Sequence, residues 1–198
     1  MNNEIINALN VLKFGGTILY PTDTIWGIGC DALSDIAVER IFKIKNRDYS
    51  KSLICLASSF KMIEEYVSIK DIEKLEKISN EAPTTFIFDN PKIISNYVTA
   101  DSNSIAFRVP DNDFCLDLIE SLGRPIVSSS ANLSGEKIPL NFSEISSRVK
   151  NNVDYIVLSP GISLIEKNFL KNFEKKIIID IDFLYLTNKN FKSIVVTG

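Results

Sequence analysis

The sequence predicts an α/β fold, bordering on α+β, in which helices flank a twisted sheet of mixed parallel and antiparallel strands. Three observations lead there. Short continuous apolar runs, "TILYP", "LICLA" and "PIVSS", alternate with stretches of helical spacing, the pattern of strands shielded by helices. Several connections are too short for a crossover, so some neighbouring strands must be antiparallel. The chain has 198 residues, 45% of them hydrophobic and 24% charged, which is ample for one core. A single domain over residues 1–198 is expected.

The elements follow in order. Residues 3–14 carry Ile5, Ile6, Leu9 and Leu12 on one stripe and stop at Gly15-Gly16, which predicts a helix. "TILYP" is a strand ended by Pro21, and residues 20–32, with Gly27 and Gly29, read as a hairpin with a bulge or as backbone that approaches something closely. Ser34 is placed to cap a helix through Lys45, with Ile41 and Phe42 turned inward. "LICLA" predicts a strand, residues 59–81 one or two helices, "TTFIF" and "SIAFRV" two more strands. A helix over 112–122 is closed by Gly123, and "PIVSS" is again a strand. Residues 143–150 read as helix and "VDYIVLS" as extended, while the tail offers "KIIID" and "SIVVT" as strands. In such sheets ligands sit beyond strand ends, where loops converge.

Composition narrows the chemistry. The chain has no histidine, which excludes Ser-His and Cys-His nucleophilic catalysis and any His-bound metal. Cys30, Cys55 and Cys115 lie far apart in apolar contexts, as buried free thiols in a reducing cytoplasm would. No run reaches the roughly 18 apolar residues of a membrane helix, and the N-terminus lacks the pattern of an export signal. The net charge of −3 gives no general attraction to nucleic acid, although a local basic cleft would still attract one.

Four clusters carry hydrogen-bonding or charged groups at predicted strand or helix ends. "YPTDTIWGIG" places Thr24 among small polar residues after a strand. "KIKNRDYSK" brings Lys45, Arg47 and Lys51 to the end of a helix, either as a solvated cap or as a clamp for a polyphosphate. "SIAFRVPD" sets Ser104 and Arg108 in a strand; an inward guanidinium there must find an anion. "VSSSANLSG" ends a strand in Ser128, Ser129, Ser130 and Asn132, either an ordinary Ser/Thr turn or the uncharged lining of a cleft.

In this order and spacing, "PTDTIWGIG", the Lys45-x-Arg47 pair, "FRVP" and "SSSANLSG" resemble the YrdC/TsaC-like family of L-threonylcarbamoyladenylate synthases, over about residues 4–158. The resemblance implies a YrdC-like fold with a concave ligand cleft. It implies a nucleotidyltransferase that makes threonylcarbamoyl-AMP and pyrophosphate from L-threonine, bicarbonate and ATP. The product serves the N6-threonylcarbamoyl modification of adenosine 37 in tRNA, in the cytoplasm. By the resemblance, Lys45, Arg47, Ser130 and Asn132 surround the ATP phosphates as the catalytic group, with Ser104 and Lys51 as further ATP contacts. Arg108 pairs with the threonine carboxylate, and Thr24 and Ser128 hold its polar groups. Magnesium (Mg2+) accompanies ATP, no organic cofactor is needed, and tRNA and a threonylcarbamoyl transferase complex are the implied partners. Residues 159–198 diverge from the family pattern, lacking its serine and arginine, and read as a tail that covers the cleft. That divergence motivates a second reading, a non-catalytic or weakly active relative that binds RNA.

Overall fold

A computed structural model describes residues 3–100, 102–158, 186–188 and 191–194. Helix α1 (Asn3–Lys13) buries Ile5, Ala8, Leu9 and Leu12 and leads into β1 (Thr17–Pro21), every residue of which is buried. A turn returns the chain as β2 (Trp26–Asp31), paired antiparallel from Thr17↔Cys30 to Pro21↔Trp26. The register is unbroken, so the hairpin is present and the bulge is not. Helix α2 (Asp35–Lys45) starts where expected, its Ser34 hydroxyl accepting from the Ala37 amide at 3.3 Å. It ends with Asn46 in the left-handed region at φ 50°, which sets Lys45 and Arg47 on either side of a sharp reversal.

Next come β3 (Ile54–Leu56), helices α3 (Phe60–Glu64) and α4 (Ile72–Glu81), and β4 (Thr85–Asp89). A short α5 (Asn96–Thr99) precedes β5 (Ser104–Arg108). Helix α6 (Asp113–Leu122) is capped by Asn112 at one end and by left-handed Gly123 at the other, and β6 (Ile126–Ser130) follows. Two expectations are corrected beyond this point. Residues 143–150 are not one helix: a 3-10 turn (Phe142–Glu144) gives way to α7 (Ser147–Lys150), because the Ser146 hydroxyl takes the Val149 amide and starts a new helix. Of "VDYIVLS" only β7 (Tyr155–Ile156) joins the sheet. In the tail, β8 (Leu186–Asn188) and β9 (Phe191–Ile194) form a hairpin, so part of "SIVVT" is strand, while "KIIID" and the rest of the proposed covering tail lie outside the described residues.

The strands form one mixed sheet in the order β7-β1-β2-β6-β3-β5-β4-β9-β8, with β1–β7 and β3–β5 parallel and the other pairs antiparallel. Directly paired residues share a face, and so do residues two apart along a strand. On one face Ile28, Cys30, Val127, Cys55, Ile105 and Phe107 join Ile41 and Phe42 of α2 in the larger core. On the other, Ile18, Tyr20, Leu56 and Ile126 are covered by α1 and α6. Among the described residues that cover stops part-way along the strands. Beyond it, on the same face, Ile54, Ser104, Ala106, Ser128 and Ser130 are only half-buried. Cys30, Cys55 and Cys115 are free and buried, and burial pushes their thiols up, as expected of inert cysteines.

Candidate active site on an uncovered sheet face

The register turns this bare stretch into a floor. Ser128 pairs with Ile54, which pairs with Ala106; Ser130 faces Gly27; Ser104 and Arg108 lie on the Ala106 face of β5. Along β5 the floor runs about 13 Å from Ser104 to Arg108, and β6 and β5 lie about 10 Å apart across β3. On either side of Ile54 the floor carries only alanine and serine, small side chains that let a ligand rest close to the backbone.

At one end stands Arg108. It points inward, as an arginine in an apolar strand must if it has an anion to meet, and that anion is Asp23 of the β1–β2 turn. Nη2 donates to Asp23 Oδ2 and Nη1 to Thr24 Oγ1 at 3.1 Å. The turn thus reaches over β6 and β3 to β5. Thr22 shapes it, its hydroxyl donating to the Ile25 carbonyl at 2.8 Å and accepting from the amides of Thr24 and Ile25. The Asp111 amide donates to the same Asp23 oxygen at 3.3 Å. Two polar atoms of the pair, Asp23 Oδ1 and Arg108 Nε, are buried with no protein partner. Groups left so are costly unless something else completes them.

At the other end Lys45 enters from the last turn of α2. It is 2% exposed, so the solvated-cap reading of this lysine fails. Nζ donates to the Ser130 carbonyl and to the Asn132 carbonyl at 2.8 Å, with Ser130 Oγ and Asn132 Oδ1 each at 3.5 Å. Among the described residues no carboxylate joins it there. Burial, and after it the charge of Arg47, bring its pKa down to about 7. The Asn132 amide donates to the Glu136 carbonyl at 2.6 Å, and the Ser134 amide donates to the Lys45 carbonyl at 2.8 Å, so helix end and strand end are tied both ways. Arg47 is half-buried and anchors its own loop, Nη2 donating to the Ser52 carbonyl at 2.8 Å and Nε to that of Lys51 at 3.4 Å. Burial lowers its pKa too. The Lys51 side chain is exposed, and Ser104 shares a hydrogen bond with Ser102 at 2.8 Å.

The fold therefore groups Lys45 with Ser130 and Asn132, and Arg108 with Thr24, with Ser128 and Ser104 on the floor between. Two participants escape a reading of the sequence alone. Asp23 sits inside the quoted "PTDT", but its partner is 85 positions away. Tyr20 lies beside the floor, on the same face and toward β1, where its hydroxyl donates to Ser128 Oγ at 2.8 Å. The only local sign of it is the Gly27-x-Gly29 spacing. What approaches those glycines closely is the Tyr20 ring: a Cβ on Gly29 would stand 2.7 Å from ring atom Cε1, and one on Gly27 3.4 Å from the same atom.

Comparison with known proteins accords with this geometry. A family model named for Sua5, YciO and YrdC, and described as "Telomere recombination", matches residues 10–167. Threonylcarbamoyl-AMP synthase of Escherichia coli (strain K12) is 35% identical over 144 residues, which is 68% of this chain and 76% of the relative. The structure of P. abyssi Sua5 complexed with L-threonine superimposes with a TM-score of 0.70 at 28% identity, covering 77% of this chain. The chain spans 45% of that protein's length. E. coli YciO superimposes with a TM-score of 0.67 at 27% identity, covering 78% of this chain and 76% of its own. A match over most of its length, spanning the strands that build the uncovered face, makes this chain a member of the Sua5/YciO/YrdC family.

Proposed function

We propose that the chain is a threonylcarbamoyl-AMP synthase, a nucleotidyltransferase that joins L-threonine, bicarbonate and ATP and releases pyrophosphate. The observation that carries this reading is the polarity of the uncovered face, with a guanidinium at one end and a buried ammonium among uncharged carbonyl, hydroxyl and amide oxygens at the other. The amino acid lies toward Arg108, Thr24 and Ser128, and the triphosphate toward Lys45, Arg47, Ser130 and Asn132, with Ser104 and Lys51 at its margin.

The threonine amine combines with carbon dioxide, releasing a proton, or with bicarbonate, releasing water, to give a carbamate. A carbamate oxygen then attacks the α-phosphorus of ATP, and pyrophosphate leaves. No histidine is required. The chain's part is to hold the two reactants in line and to stabilise charge that builds on the phosphoryl oxygens. Lys45 suits the second task, since a phosphate oxygen beside it would supply the counter-charge that burial has withheld and draw its proton back. Among the described residues no three acidic or cysteine side chains stand together as metal ligands. The donor set therefore fits a magnesium ion that arrives on ATP, bound by phosphate oxygens, where it would neutralise charge on the triphosphate. The adenylate would serve the threonylcarbamoyl modification of tRNA in the cytoplasm, through a transferase complex that accepts it. No described helix is long and apolar enough to cross a membrane.

The test is pyrophosphate release by the purified protein. It should require L-threonine, bicarbonate, ATP and magnesium together. Release that ignores threonine, or none at all, would overturn the assignment; salt-sensitive RNA binding without ATP binding would replace it with an RNA-binding function.

A further inference from the structure

We propose that Tyr20 is a positioning residue for the amino-acid substrate, its phenol holding the Ser128 hydroxyl as a hydrogen-bond donor toward the uncovered face. This rests on the reading that L-threonine occupies that face, and it adds a role for a residue that touches no substrate.

The direction of the hydrogen bond follows from burial. Tyr20 has no exposed surface, and its ring is held beneath α6 against the bare backbone of Gly27 and Gly29. A phenolic proton enclosed this way must find an acceptor, and Ser128 Oγ, at 2.8 Å, is the one it has among the described residues. Were Ser128 the donor, the phenolic proton would be buried without a partner, a cost of the kind proteins avoid. Ser128 Oγ therefore accepts from the β1 side of the same face. Its own proton meets no protein acceptor among the described residues, and Ser128 is half-buried on the floor. That proton is left for an acceptor arriving on the face. Accepting one hydrogen bond strengthens the next donated by the same hydroxyl, so Tyr20 also sharpens Ser128 as a donor. Burial pushes the phenol well up, which keeps it protonated wherever the enzyme works.

A serine locked as donor favours an oxygen acceptor over a second donor. L-threonine offers its carboxylate oxygens and, once carbamoylated, the carbamate oxygens. An ammonium group has no such acceptor. The Tyr20–Ser128 pair would therefore select for the carboxylate and carbamate end of the substrate and fix the rotamer that presents it. The glycines follow from the same arrangement, because a side chain at Gly29 would displace the ring and release Ser128.

Tyr20→Phe keeps the ring and deletes only the donor. Measured by pyrophosphate release, KM for L-threonine should rise about tenfold, the equivalent of one lost hydrogen bond, with KM for ATP changed less than twofold. In a Ser128→Ala background the same substitution should add nothing, since Tyr20 acts through Ser128. An unchanged threonine KM, or a Tyr20→Phe effect that persists in Ser128→Ala, would overturn the proposal. Should Tyr20→Phe fail to fold, fluorotyrosine placed at position 20 keeps the ring and makes the phenol a better donor. Threonine KM should then fall, and an unchanged value would overturn the role. Threonine binding by calorimetry separates the two levels. Wild-type protein that binds no threonine ends the functional reading and this proposal together, whereas normal wild-type turnover with unaffected variants ends only this one.

Discussion

Lys45 is an ammonium group that has lost its water without gaining a carboxylate, and two predictions at the residue scale start from such unbalanced charges. With its pKa near 7 in the folded protein, Lys45 gives up its proton well before the ordinary value of 10.5 that it regains on unfolding. Between those pH values the unfolded state binds more protons, so this residue makes stability rise with pH. The Tm of the wild type relative to Lys45→Met should therefore increase from pH 7 to pH 9. ATP affinity should move the opposite way, weakening in the wild type over that range as the charge is lost and staying low and flat in Lys45→Met. The second residue is Arg108. Deleting it removes the proposed carboxylate ligand and also strands Asp23, which is 10% exposed, without its counter-charge. Arg108→Ala should raise the threonine KM by about 100-fold and lower the Tm. Adding Asp23→Asn should restore much of the Tm and none of the threonine response. Recovery of both would show that Arg108 is structural.

Among elements, the β1–β2 hairpin carries the greatest burden, because it supplies both the ring beside the floor and the turn that reaches Arg108. Gly29→Ala tests the first function. Its methyl group would stand 2.7 Å from Tyr20 Cε1 and 2.9 Å from the Val127 carbonyl oxygen, and neither a packed ring nor a sheet backbone can yield cheaply. A loss of about 2 kcal/mol in unfolding free energy is expected, with a raised threonine KM in what remains folded. Most elements could be read from local chemistry. Ser34 and Gly123 terminate their helices through their own side chain or backbone freedom, and the apolar runs at 17–21, 53–57 and 125–129 could only be strands. What escaped was set by distant contacts. The four-residue α5 is held to the segment leading into β3 by the Leu53 amide bonding to the Val98 carbonyl at 2.9 Å, which no local pattern announces. The burial of Lys45 likewise depends on a strand end 85 positions later. The site residues stood out by type and spacing, while the Asp23–Arg108 and Tyr20–Ser128 pairings required the folded register.

For the molecule as a whole, the two helical layers are unequal. Among the described residues, one face of the sheet is closed by α2 and its neighbours, and the other only as far as α1 and α6 extend. Ala106, half-buried at the centre of the uncovered part, has no packing duty to lose. Ala106→Phe should leave the Tm within a few degrees of wild type and reduce pyrophosphate release at least tenfold. A fully active variant would place the reactants elsewhere. This layout sets folding and activity against each other. Substrate room here owes much to the methyl and methylene groups that its alanine and serines never had, so a mutation that adds bulk there to improve packing also evicts the reactants. A search for thermostable variants that ignores turnover should converge on these small residues first and return robust proteins with nowhere to do chemistry.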